Sequence, residues 1–91
     1  MTTLVVQHTV ESYDDWKPGF DAHEENRRLH GSTGHRLLRD GNAITILMDF
    51  PDRKSAQEFV DDPSLRAAME KAGVITGPSI AFDEDVETLA Y

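Results

Sequence analysis

The run Asp40-Gly41-Asn42-Ala43-Ile44-Thr45-Ile46-Leu47-Met48-Asp49-Phe50 alternates in side-chain character more cleanly than any other part of the chain. Successive side chains of a strand point to opposite faces. Ile44, Ile46, Met48 and Phe50 therefore share one face, and Ala43, Thr45, Leu47 and Asp49 share the other. Asp40-Gly41-Asn42 reads as the turn of a hairpin, which makes residues 35–40 the preceding strand. Pro51-Asp52 ends the run, since proline cannot donate to a ladder and Asp52 can cap a helix.

Upstream of the hairpin, residues 4–10 alternate in the same way and predict a first strand. Ser12 then offers an N-cap, with Asp15 three residues on as capping-box partner. Pro18-Gly19 interrupts the helix start, because proline suits a first turn but not an interior. Residues 13–17 are expected as a turn or a kinked first helical turn, and 18–30 as the main helix, ended by Gly31 and Gly34. Downstream, a helix from Asp52 through about residue 60 restarts at Asp62-Pro63, a cap followed by proline at the first helical position. Leu65, Ala68, Met69 and Ala72 continue it at helical spacing, and Gly73 stops it. A Gly77-Pro78 turn leads to a last strand over 79–82, followed by an acidic tail with Leu89 and Tyr91.

The order is β-α-β-β-α-β. The simplest outcome is an α+β, ferredoxin-like domain over residues 1–91, with a four-stranded antiparallel sheet and both helical segments on one face. Ninety-one residues leave room for no second domain. Seventeen acidic residues against nine basic ones give a formal charge of −8, which opposes binding to nucleic acid or to an anionic membrane surface. Without cysteine there is no disulfide scaffold, thiolate nucleophile or cysteine-ligated metal. No apolar run approaches the roughly 20 residues of a membrane span, and Met1-Thr2-Thr3 does not open a signal peptide. The expectation is a cytoplasmic protein.

Helices on one face leave the other uncovered, and Leu47 lies at its centre. An uncovered face with apolar content marks an interface or a cavity. The expectation is a homodimer whose sheets face each other around an enclosed space. The plainer alternative is that Leu47 is one exposed leucine, which needs no explanation.

Trp16, Phe20, His23, Arg27 and His30 are spaced 4, 3, 4 and 3 apart, so they form one stripe on a helix, with Trp16 included if the kink at Pro18 is small. The aromatics argue that the stripe faces inward. Buried ionisable groups need partners, and such groups on an inward face are candidates for a functional site. Alternatively, Ala22 and Leu29 form the core face and the stripe looks outward, His23 is a satisfied structural histidine, or Arg27 reaches the rim or pairs with Glu24. His8 sits mid-strand between Val6 and Val10, where a polar side chain is unexpected. Imidazole suits proton transfer near neutral pH, and a neighbouring Arg27 would favour its neutral form. His35 follows a glycine turn and is expected to be exposed. No HExxH, HxH or phosphate-binding glycine loop occurs, and no serine sits in a nucleophile elbow. No metal site is expected.

The segment His8-Thr9-Val10, Tyr13-Asp14-Asp15-Trp16-Lys17, Phe20-Asp21, His23, Arg27 and Gly31/Gly34 resembles small proteins of the dimeric α+β barrel superfamily. Leu65-Arg66, Met69, Lys71-Ala72-Gly73-Val74 and Gly77-Pro78 are similar to the same group. That superfamily includes antibiotic-biosynthesis monooxygenases, polyketide cyclases, stress-responsive barrel proteins, lactone isomerases and haem-degrading enzymes. The resemblance implies a homodimer with a small-molecule cavity, and chemistry without metal or flavin, in which an anion of the substrate itself reacts. It carries over to His8, Tyr13, Trp16, His23 and Arg27. The haem-degrading branch needs a histidine on the second helix, and none lies between Asp52 and Ala72. The expected function is a cofactor-independent cyclase or monooxygenase on an aromatic or polyketide-like substrate. His23 or His8 would be the base, Arg27 the anion holder, and Tyr13, Trp16 and Phe20 the apolar wall. The competing expectation is a non-catalytic barrel that sequesters a small apolar ligand.

Overall fold

The computed structural model describes residues 1–71 and 73–90; Ala72 and Tyr91 lie outside the described residues. The elements follow in the order β1 (Thr2–Val10), α1 (Tyr13–Ala22), α2 (Glu24–Leu29), β2 (Gly34–Asp40), β3 (Ala43–Phe50), α3 (Arg53–Asp61), α4 (Pro63–Lys71) and β4 (Val74–Glu84). The strands form one antiparallel sheet in the order β2-β3-β1-β4, the ferredoxin-like arrangement.

The alternation of β3 sets the layers. Ile44, Ile46, Met48 and Phe50 are buried, as are Leu4, Val6, His8 and Val10 on the neighbouring β1. Trp16, Phe20, Ala56 and Phe59 of the helices close the same core. On the opposite face Val5 lies across from Leu47, and both are only partly buried. Leu38 on β2 is 41% exposed there. The β2–β3 loop is Gly41-Asn42, with φ +59 at Gly41, and no described non-glycine residue has a positive φ. A positive φ at the first central residue alone matches the type II′ hairpin, whose twist suits the flanking strands.

Several local expectations change. Helix α1 begins at Tyr13 and runs through Pro18. The break falls at His23, whose φ −91 and ψ 7 end α1 and start α2. Its N–H bonds back to the Phe20 carbonyl in a tight three-residue turn, which redirects the chain. Ser12 is the N-cap, but its side chain makes no cap hydrogen bond. The Asn42 side chain takes that role from the hairpin. Its Oδ1 accepts from the Tyr13 N–H at 3.3 Å, and its Nδ2 donates to the Glu11 carbonyl at 3.2 Å. Asp52 does cap α3, accepting from the Ser55 N–H at 2.8 Å. Asp62 accepts from the Ser64 N–H at 2.9 Å at the start of α4.

Gly77-Pro78 is not a turn but part of β4. The sheet tolerates it because β4 is an edge strand, where a missing N–H need not break a ladder. Its pairing shifts there: Gln7 faces Ser79 while Thr9 faces Thr76, so β4 carries one more residue than β1 over that interval.

Candidate functional site

The stripe on α1 and α2 faces inward. Trp16, Phe20 and Arg27 are buried, His23 and His30 are partly buried, and Ala22 and Leu29 are exposed. With the covered face of the sheet and the inner side of α4, these residues line a partly open cavity of about 40 Å³. It is lined by His8, Trp16, Phe20, His23 and Arg27, and also by Phe59, Met48, Leu65 and Met69.

His8 is carried inward by the alternation of β1 and is only 6% exposed. Among the described residues neither ring nitrogen has a hydrogen-bond partner. The Trp16 indole meets the imidazole edge-on at 5.6 Å between ring centres and supplies no acceptor. Burial pushes the His8 pKa below the ordinary histidine value, because the charged form loses its water. The result is a neutral imidazole with unused hydrogen-bonding capacity beside a partly open cavity. Buried polar groups are nearly always paired, so a ligand or water in the cavity is what such a ring requires.

Phe20 is held between two partners. Trp16 stacks on it at 5.0 Å, and the Arg27 guanidinium lies 3.9 Å from its ring centre. Arg27 is 4% exposed, and its Nη1 donates to the Phe20 carbonyl at 2.8 Å. Among the described residues no carboxylate forms an ion pair with it, and Glu24 lies 3.7 Å from Arg28 instead. Burial lowers the Arg27 pKa from its usual value, yet guanidinium remains charged at working pH. The carboxylates of Glu24 and Asp21 offset part of that burial cost from a distance, and an anion entering the cavity would offset more of it.

His23 stands at the α1–α2 break, with Asn26 Nδ2 3.1 Å from its Nε2. Its pKa is lowered first by burial and then by Arg27, and Asp62 partly offsets this. The expected effect of Arg27 is present, with burial the larger cause. His30 Nε2 lies 2.9 Å from Asp62 Oδ2. His35 is exposed, although its ring meets Phe20 edge-on at 5.0 Å.

Tyr13 is not among the cavity-lining residues. It packs at 6.0 Å from Trp16, with the Arg39 guanidinium 4.1 Å from its ring centre. The sequence reading missed Phe59, Met48, Leu65 and Met69 as cavity walls, since apolar residues at core spacing carry no sign of which core gap they border. It also missed Asn26. Its position three residues after His23, on the same helical side, is the signal that would have found it. Among the described residues no group of three or more histidine, aspartate or glutamate side chains is placed to hold a metal ion.

No family model matches the chain, and no curated protein does either. Solved structures do. A cofactor-independent oxygenase, SnoaB from Streptomyces nogalater, superposes with a TM-score of 0.79 at 16% identity, over 99% of this chain and 97% of that one. An antibiotic biosynthesis monooxygenase superposes at 0.72 with 14% identity, over 96% and 100%. The chain shares the fold of the antibiotic biosynthesis monooxygenases. The monooxygenase ActVA-Orf6 of Streptomyces coelicolor, solved with the ligand nanaomycin D, matches at 0.71 with 15% identity, over 99% and 91%. At these identities the likeness concerns the fold, and the site must be argued from its own residues.

Proposed function

We propose that this chain is a cofactor-independent small-molecule enzyme, a monooxygenase or cyclase acting on an aromatic or polyketide-like substrate. The observation that carries the reading is His8, a buried imidazole whose nitrogens have no hydrogen-bond partner among the described residues, at a cavity also lined by the buried Arg27, which makes no direct ion pair among them. In this reading the neutral His8 ring, with His23 beside it on the cavity wall, takes a proton from the substrate. Arg27 holds the enolate or phenolate that remains, as a fixed charge in a site with little water. Trp16 and Phe20 form an apolar wall for a ring system, and Tyr13 supports Trp16 from outside. Support also comes from the neighbours, which include a cofactor-independent oxygenase and a ligand-bound monooxygenase.

The same reading makes the acting unit a homodimer. Among the described residues no helix covers the Val5–Leu47 face of the sheet, and a second copy laid against it would bury those side chains.

The test is dioxygen uptake and product mass with a panel of polycyclic hydroxyaromatic compounds, comparing the parent protein with His8→Ala. Turnover should fall by roughly 10²–10⁴ in the variant. Unchanged turnover would remove His8 from the chemistry. Tight binding by the parent protein with no product from any panel member would favour the sequestering reading.

A further inference from the structure

The cavity holds two histidines, and their surroundings differ in a way that separates their roles. His8 has no hydrogen-bond partner among the described residues, whereas His23 is gripped by Asn26, which is itself gripped by a carboxylate. Asn26 Nδ2 lies 3.1 Å from His23 Nε2 and 3.3 Å from Asp62 Oδ2, and it also meets Ser64 Oγ. Asp62 is bonded by His30 and, to a lesser extent, by the Ser64 N–H, which hold its carboxyl well below the usual carboxylate range. Asp62 is therefore an anion at working pH.

An ionised carboxylate only accepts hydrogen bonds. The Asn26 atom that faces Asp62 must then be its amide nitrogen, since a carbonyl oxygen there would meet the anion without a proton between them. That NH₂ group has two hydrogens. Asp62 Oδ2, Ser64 Oγ and His23 Nε2 all lie within 3.3 Å of it, and since an amide nitrogen only donates, the ring nitrogen at this contact accepts. A nitrogen that accepts a hydrogen bond is unprotonated, so the neutral ring carries its proton on Nδ1.

Resting on the reading of this cavity as the functional site, we propose that Asn26 is a positioning residue that locks His23 in the Nδ1–H tautomer. His23 then serves the site as a hydrogen-bond donor, and its Nε2 is withheld from proton abstraction. The charged and titratable groups facing His23 are Arg27 on α2 and His30 at its C-cap, which oppose its protonation, and Asp62 at the α3–α4 junction, which favours it. Asp62, read from sequence only as a helix cap, thereby helps set the chemistry of a ring 39 positions away through Asn26.

The tautomer is read directly by long-range ¹H–¹⁵N correlation spectra of histidine-labelled protein above the histidine titration. The expected spectrum shows His23 with a pyridine-type Nε2 and a pyrrole-type Nδ1. Asn26→Asp places an acceptor at Nε2, so the assignment should reverse and the His23 titration midpoint should rise by about one pH unit. Asn26→Ala should release the lock and move both nitrogen shifts. A protonated Nε2 in the parent protein overturns the proposal without any variant having to fold, and so do His23 shifts that stay fixed in both variants. These spectra need no substrate. A failed turnover assay therefore leaves the tautomer result standing, and a wrong tautomer leaves the turnover proposal standing.

Discussion

The two faces of the sheet are made by the same strands with opposite results. On the helix-covered face, Leu4, Val6, Ile44, Ile46, Met48 and Phe50 are all 3% exposed or less, and His8 lies among them. On the other face, Thr3, Val5, Thr45 and Leu47 stay partly buried and Gln7 and Arg36 are exposed. The covered face is finished within one chain and hosts a polar group that its packing does not need. The open face has packing capacity, and no helix among the described residues uses it. Stability in this chain therefore belongs to one face, while the other is free to serve assembly.

The comparison breaks most visibly at a covered aromatic. Phe50→Ala should cost about 3–5 kcal/mol, read as a fall in the urea midpoint, because a fully buried ring leaves a void. A loss under 1 kcal/mol would contradict the division of labour. The open face is tested with Leu47→Lys. In sedimentation equilibrium, this variant should raise the dimer dissociation constant at least 100-fold, about 2.7 kcal/mol, with the circular dichroism unchanged. A parent protein that is monomeric at every concentration would end the homodimer proposal.

His8→Leu sharpens the contrast from within the covered face. Removing an unpartnered buried ring should raise stability by about 1 kcal/mol or more while abolishing turnover. A destabilised variant would mean that the ring is satisfied in solution. The smallest effect is a slope in pH. The His8, His23 and His35 pKa values are all lowered on folding, mainly by burial. The folded state then binds fewer protons than the unfolded state below the unfolded value of about 6.5, so stability should decline as pH falls through that point. Thermal melts across pH 7.5 to 5 should show this slope, and His8→Leu should flatten it. Asp62 adds stability that is present above about pH 4 and lost as pH falls further, because its carboxyl is held below its unfolded value.

Sequence periodicity was enough for the sheet because a half-covered strand writes its two faces directly into alternate positions. The stripe on α1 and α2 was legible for the same reason, although Ala22 and Leu29 left its direction open until their exposure decided it. Local chemistry failed where a distant residue replaced a near one. Ser12 and Asp15 spell a capping box, yet the bond to α1 comes from Asn42. Gly77-Pro78 spells a turn, but an edge strand can carry it as an irregularity. The Asn26–Asp62 contact spans 36 positions and two helical segments, and no spacing rule reaches that far.

Asn42 also bears on the order in which the molecule assembles. Its backbone carbonyl accepts from the Val10 N–H at 3.0 Å, and its side chain spans Glu11 and Tyr13. The exit of β1 and the start of α1 are thus fastened by the tip of a hairpin 29 to 32 positions later in the chain. Closing that loop must precede the fastening, and loop closure is slow compared with growing a helical turn. The helix that carries Trp16 and Phe20 therefore gains its anchored first turn only after the β2–β3 hairpin has docked. That fastening of the site's helix is a long-range contact, formed at the entropic cost of closing a loop of about 30 residues.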